Sequence, residues 1–173
     1  PFVKPLLNYS NSDLHRQSKY PYDFSELTNM PPQEAQTLVH SFYNTDQFRS
    51  LTPLSGASYG VLNMHSLNYK LYAITDRHSA VRSFTEQWLQ EHFPYMFADL
   101  IMTDESSDMS KSSVCTSLNI GLIVDDNLQV CRECNFQGIT ALNFIGNPVY
   151  PWCETNELSV HNWEEVTNSL YKI

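Results

Sequence analysis

The sequence predicts an α/β fold built on a mainly parallel sheet, and three observations carry this. Short apolar runs rich in aromatic and branched residues recur at residues 69–75, 99–102, 122–124 and 139–145. Stretches with apolar residues at helical spacing separate them, the order expected of parallel strands joined by helices. Two of the runs end abruptly in polar residues, Thr75-Asp76-Arg77 after LYAI and Asp125-Asp126 after LIV. In open parallel sheets ligands bind beyond the carboxyl ends of the strands, so these ends are where function is expected.

The elements follow in order. Ala35, Leu38, Val39 and Phe42 fall at i, i+3, i+4 and i+7, which predicts a helix over 32–43. Pro31-Pro32 precedes it, where proline is tolerated. Residues 55–66 form a weaker helix, since Gly56 and Gly60 lower its propensity. The strand at 69–75 is followed by a helix over 79–91, marked by Val81, Phe84, Trp88 and Leu89, with Ser79 as its expected N-cap. After the strand at 99–102, the polar segment 104–113 reads as a loop, and Val114, Cys115 and Leu118 place a helix behind it. The strand at 122–124 leads into a helix over 127–136, closed by Gly138. A strand at 139–145 follows, and Trp163, Val166 and Leu170 mark a final helix. The whole of 1–173 reads as one domain, with an α/β core from about residue 55 and a helical, cap-like region over about 10–54. Aromatic residues in the first 24 positions (Phe2, Tyr9, Tyr20, Tyr22, Phe24) suit either core packing or a cap over a nucleobase.

Composition narrows the functional classes. Hydrophobic residues make up 42% of 173, enough for a folded core and too many for a disordered chain. No apolar run approaches the roughly 20 residues a membrane span needs. The opening Pro1-Phe2-Val3-Lys4-Pro5 has no charged region followed by an apolar stretch, so no signal peptide is expected. The net charge of −9 argues against binding a nucleic-acid polymer, which needs Lys and Arg in excess. It is compatible with a small phosphorylated molecule, because a bound cation reverses the sign locally. Four cysteines without other marks of a secreted scaffold read as reduced thiols in an intracellular, cytoplasmic protein.

The chemistry-bearing residues sit at the junctions. Thr75 offers a hydroxyl, and backbone N–H groups near it can hold phosphoryl oxygens. Lys111, in Met109-Ser110-Lys111-Ser112-Ser113, supplies a compact positive charge at a loop-to-helix junction. Asp125 and Asp126 are oxygen ligands of the kind Mg²⁺ prefers. Arg77 and Ser112 flank this set as substrate-binding candidates. Each feature has a plain structural alternative: a turn with a cap, a solvated lysine, a carboxylate pair at a helix N-terminus. Cys131-Arg132-Glu133-Cys134 is a CxxC with no second pair, and at i, i+3 it fits a core-facing stripe as well as a metal site. His78 follows the Thr-Asp-Arg turn, and no histidine pair has HxxxH spacing. Gly-x-Gly-x-x-Gly and the phosphate-binding Gly-x-x-x-x-Gly-Lys loop are both missing from the sequence.

The order Thr-Asp-Arg, Lys-Ser, Ile-Val-Asp-Asp resembles the second, third and fourth motifs of the haloacid dehalogenase (HAD) superfamily, and most of all its 5′(3′)-deoxyribonucleotidase-like branch. Tyr22-Asp23-Phe24, Leu54-Ser55-Gly56-Ala57, Thr85-Glu86-Gln87-Trp88-Leu89 with His92-Phe93-Pro94, and Tyr150-Pro151-Trp152 extend the likeness over nearly the whole chain. The resemblance implies a three-layer HAD-like (Rossmannoid) parallel sheet with helices on both faces and a small helical cap. It also implies a Mg²⁺-dependent phosphatase or nucleotidase working through a phosphoaspartate on a small phosphorylated molecule such as a nucleotide. Thr75 would hold the phosphoryl group, Lys111 would stabilise nucleophile and phosphate, and Asp125 or Asp126 would hold the Mg²⁺. The family's first motif, Asp-x-Asp at the end of a central strand, occurs nowhere in these residues. Nucleophile and acid/base are therefore missing from the sequence given. Two readings stay open: a hydrolase whose first motif lies in preceding sequence, or a non-catalytic relative that keeps the fold for binding.

Overall fold

The computed structural model describes residues 24–104 and 107–171. The expectations for residues 1–23, including Phe2, Tyr9, Tyr20 and Tyr22, lie outside them. The chain divides into two compact units. The first comprises the described residues up to Thr52 together with Tyr150–Cys153, and the second runs from Pro53 to Val149 and on from Glu154.

The first unit holds helices α1 (Phe24–Thr28), α2 (Pro32–Phe42) and α3 (Asp46–Arg49). Pro32 opens α2 at a position where a missing N–H costs nothing. Ala35 and Phe42 are buried along its expected apolar stripe, and Phe42 meets the buried Phe48 of α3 edge-on at 5.6 Å. The Thr45 hydroxyl caps α3 by accepting from Phe48 N at 3.2 Å. Tyr150 and Trp152 stack at 5.0 Å in the same unit.

The second unit is α/β. Its order is α4 (Ala57–Ser66), β1 (Leu71–Thr75), a 3-10 turn (Ser79–Val81), α5 (Arg82–His92), β2 (Phe97–Met102), α6 (Lys111–Ser117), β3 (Leu122–Asp125), α7 (Leu128–Phe136), β4 (Thr140–Phe144), β5 (Ser159–Val160) and α8 (Trp163–Leu170). Among the described residues the strands form two sheets, β1-β2 and β3-β4-β5, and every pairing is parallel. Two apolar clusters hold them. Cys115 of α6 and Cys131 and Cys134 of α7 pack on Ile123 and Ala141, with Ile74 against them. Ala57, Val61 and Met64 of α4 pack with Phe93 and Leu170, and Leu71 and Leu122 join them. Leu122 and Ile123, adjacent in β3, thus reach opposite clusters, as the alternation of a strand requires.

Several predicted boundaries shift, each for a local reason. Tyr69 N–H donates to Met64 O at 3.1 Å, closing α4, so β1 starts at Leu71 rather than at 69. Ser79 is not the cap of α5: His78 Nδ1 accepts from Ala80 N at 3.1 Å, a 3-10 turn intervenes, and α5 proper begins at Arg82. Strand β2 begins two residues before the predicted 99. Helix α6 starts at Lys111, inside the predicted loop, because the Ser110 hydroxyl accepts from Ser113 N at 3.2 Å. Asn127 is the N-cap of α7 and not its first residue, accepting from Gln129 N at 2.9 Å. Gly138 follows α7 at φ +77°, a conformation glycine adopts without strain. Strand β5 has no counterpart in the sequence prediction.

Candidate functional site

The two sheets present their carboxyl ends together, and one lysine joins them. Thr75 is the last residue of β1, and Asp76 follows it. Asp125 is the last residue of β3. Lys111 is the first residue of α6, so its side chain leaves the helix at the turn nearest these ends. Its Nζ donates to Asp125 Oδ2 at 2.8 Å and lies 3.1 Å from Asp76 Oδ2. The Lys111 and Asp125 side chains are 10% and 7% exposed, and Asp76 is half exposed at 49%. Asp125 Oδ1 accepts from Asn127 N at 2.9 Å, so the start of α7 also braces this carboxylate.

Burial opposes charge on both partners, and it wins on one only. For Lys111 burial alone would lower the pKa, but Asp125 and Asp76 together outweigh it and lift the ammonium above its ordinary 10.5. For Asp125 burial raises the pKa above its ordinary 3.8, and the single ammonium of Lys111, with Asp126 pushing the other way, offsets only part of that. A lysine between two carboxylates stays charged, whereas a buried carboxylate with one cation has a carboxylate neighbour to contend with.

On the Asp76 side lies an open cleft of about 510 Å³ lined by Asp76, Thr103, Asp104, Ser107, Asp108, Met109 and Ser110. Thr103 follows β2. Its N–H donates to Thr75 O at 2.8 Å and its hydroxyl to Asp76 Oδ1 at 2.6 Å. Asp104 accepts from Ser79 N at 2.6 Å, which ties the turn after β1 to the loop after β2.

The structure thus brings Thr75, Lys111 and Asp125 to one end of the strands, with Asp126 next in the chain. The other two predicted residues turn elsewhere. Arg77 Nη1 donates to Thr85 Oγ1 at 3.4 Å, and its guanidinium lies over the Trp88 ring at 5.9 Å, toward α5. Ser112 is 3% exposed, its hydroxyl 2.9 Å from that of Ser110 and donating to Glu133 at 3.5 Å. Cys131 and Cys134 are fully buried in the core beneath the site, the plain alternative for the CxxC, and Cys131 Sγ contacts Asp125 O at 3.7 Å. Asp76 and Thr103 were missed as site residues. Thr103 follows the apolar run of β2 directly, the same signal that marked Thr75 and Asp125, and Asp76 stands one residue behind Thr75.

The donors here are hard oxygens. Asp76, Asp125 and Asp126 set three carboxylates against one ammonium, an excess of two negative charges. Among the described residues no group of three His, Cys, Asp or Glu side chains converges as a ready metal cage. Nor is any described helix long and apolar enough to cross a membrane. Comparison with known proteins finds no family model that matches the chain and no curated protein similar to it at a significant level.

Proposed function

We propose that this chain is a phosphate-ester-binding domain of the HAD kind, resembling the deoxyribonucleotidase-like branch, and that these 173 residues bind a small phosphorylated molecule without hydrolysing it. The observation that carries the reading is Lys111, held between Asp76 and Asp125 at the carboxyl ends of two parallel sheets. A charged ammonium fixed there, at the strand end that also carries Thr75, is what a phosphoryl group needs for neutralisation and orientation. Mg²⁺ suits the same place. It binds through one or two carboxylates and keeps several waters, which Asp125 and Asp126 allow without a protein cage. When bound, the cation would neutralise phosphoryl oxygens that the carboxylates alone repel.

The same reading makes the two sheets halves of one three-layer sheet, with α4 and α8 on one face and α6 and α7 on the other. Strands β1 and β3 contact the same two apolar clusters yet share no ladder. A strand ending in Asp-x-Asp, placed between them, would bring the nucleophile and the acid/base opposite Asp125. The sequence contains no Asp-x-Asp, so covalent catalysis has no nucleophile among these residues.

The test is calorimetric titration of the chain with phosphate and deoxynucleoside monophosphates, with and without Mg²⁺, beside a phosphate-release assay. The expected result is binding that requires Mg²⁺ and is lost in Lys111→Ala, with no release. Absence of Mg²⁺-dependent binding would overturn the site, and turnover by this chain would overturn the non-catalytic part. A second reading, an interaction module that keeps the fold alone, is supported by the missing motif; it predicts no phosphate binding with or without Mg²⁺.

A further inference from the structure

We infer that the facing edges of β1 and β3 form an acceptor groove for a strand of a partner polypeptide, a short run of apolar residues that ladders with both edges at once. The inference does not rest on the phosphate reading, since it asks for no acidic residue on the added strand.

Strands β1 and β3 share everything except hydrogen bonds. Ile74 and Ile123 pack in one apolar cluster, and Leu71 and Leu122 in the other. Lys111 Nζ reaches carboxylates at both carboxyl ends. Yet β1 ladders only with β2 and β3 only with β4, and the two backbones do not run side by side. Burial follows the same line. No residue of β1 is buried, and Leu122 and Val124 are only partly so, whereas Ala141 to Phe144 of β4 are all buried.

The register identifies the backbone groups that face the groove. Thr140 N donates to Gly121 O at 3.0 Å, and Thr103 N donates to Thr75 O at 2.8 Å. Successive residues of a strand turn their N–H and C=O to alternate edges. Ile123 and Asp125 therefore face β4, and Ala73 and Thr75 face β2. Tyr72, Ile74, Leu122 and Val124 face the groove, and among the described residues no partner meets their N–H and C=O groups. Polar backbone at such positions calls for a partner. The outer edges are treated differently. Arg82 Nη2 donates to Leu100 O at 2.9 Å and Asp99 Oδ1 accepts from Leu100 N at 2.8 Å, which occupies the far edge of β2. Strand β5 closes the other sheet with only two residues. Side-chain cover and short edge strands guard a sheet against pairing, and the two facing edges carry neither.

These features define the occupant. Its side chains alternate between two apolar clusters, so it is apolar on both faces, as strands covered by helices on both sides are. With β1 five residues long and β3 four, it needs a run of similar length. Every described strand is already in a ladder. In residues 1–23 the run Phe2-Val3-Lys4-Pro5-Leu6-Leu7 is broken by a lysine and by a proline, which has no N–H to give a central strand. Strand insertion of this kind takes its affinity from main-chain hydrogen bonds.

The probe is a fluorescent synthetic peptide of alternating valine and isoleucine, five in all, with a lysine at each end. Its binding to the full chain is followed by anisotropy. Two control peptides carry backbone N-methyl groups, one at the odd and one at the even positions of the five, so that each loses one ladder edge. Amide hydrogen exchange of the chain is read by NMR with and without the plain peptide. In the free chain the amides of Tyr72, Ile74, Leu122 and Val124 are expected to exchange at least about tenfold faster than those of Ala73, Thr75, Ile123 and Asp125, and the peptide should slow those four by about tenfold or more. Both methylated peptides should lose binding, because a strand laid on a single outer edge would tolerate one of them. Equal exchange along β1 and β3 in the free chain, no binding of the plain peptide, binding that leaves the four amides fast, or binding that survives either methylation overturns the inference. Each of these leaves the phosphate reading standing, since calorimetric titration with Mg²⁺ tests that separately.

Discussion

Lys111 Nζ lies 2.8 Å from Asp125 Oδ2, and the pair fastens the first turn of α6 to the end of β3. The same ammonium reaches Asp76 beyond the end of β1, so one side chain spans two sheets that share no backbone ladder. Its position is a consequence of local structure. Ser110 caps the helix, which makes Lys111 its first residue and points the side chain at the strand ends.

Removing Lys111 should therefore cost more than a surface ion pair would. Both partners are nearly buried, and breaking such a pair from one side leaves an uncompensated charge, about 3–5 kcal/mol. Lys111→Met is expected to lose about that much in urea unfolding, whereas Asp76→Asn, at a half-exposed carboxylate, should lose about 1 kcal/mol or less. The double variant Lys111→Met with Asp125→Leu should regain most of the loss, because two apolar groups leave no orphan charge. If the double variant is as unstable as the single, packing and not charge is what Lys111 contributes.

The same pair sets a response to alkali. The folded-state pKa of Lys111 is raised above its ordinary 10.5, so its contribution is fully present below that value and is lost as pH climbs through the raised one. Cys115 and Cys131, pushed up from 9.0 to about 12 by burial, titrate with the same sign in an overlapping range. The lysine is isolated by difference. Wild type and Lys111→Met melting curves taken from pH 9 upward should converge above about pH 10.5. A gap that stays constant with pH would mean that Lys111 carries the same charge affinity in the unfolded chain.

Much of this was written in the sequence, and its limits are physical. The helices with clear apolar spacing, such as α2 and α7, stand where Ala35 and Phe42, or Cys131 and Cys134, placed them, because burial of one face decides them. Boundaries moved wherever a single polar hydrogen bond decided the end. Ser110 is one serine in a serine-rich loop, and nothing in the string singles out its hydroxyl as the cap. His78 took the capping role expected of Ser79 through a ring nitrogen that periodicity does not register. Strand β5, with two residues, is too short to show alternation; its ladder to β4 comes from contacts far along the chain. Thr75, Lys111 and Asp125 were legible because each is a polar residue at the end of an apolar run or at a helix start. Arg77 was not. Its long side chain reaches back to Thr85 and Trp88, a direction that neighbours in space decide and neighbours in sequence do not.

The buried thiols give a check on the core beneath the site. Cys115, Cys131 and Cys134 are fully buried, and burial raises all three thiol pKa values above 9.0. A protonated, inaccessible thiol is a poor nucleophile. At pH 8 these three should react with a disulfide reagent at least about a hundredfold more slowly in the native protein than in denaturant. Fast native labelling of any of them, located by peptide mapping, would show that α6 and α7 open readily and that the Lys111–Asp125 pair is not held by a tight core.

A last prediction concerns the helix pair α4 and α8. Gly60 sits in α4 against α8, and a β-carbon added there would meet Trp163 Cε3 at 2.7 Å and Cβ at 3.3 Å. In an unobstructed helix Gly→Ala stabilises by about 1 kcal/mol. Here the ring must move, and Trp163 also packs on Phe144 at 5.7 Å. Overpacking of this kind costs about 1–3 kcal/mol. Gly60→Ala is therefore expected to be net destabilising by up to about 2 kcal/mol, the clash exceeding the helix-propensity gain. Adding Trp163→Leu to it should reverse the sign of the Gly60→Ala effect, because the obstructing ring is gone. Chemical unfolding of the four proteins in that double-mutant cycle decides the matter: a Gly60→Ala effect that is the same with Trp163 and with leucine would mean the two helices do not touch at this point.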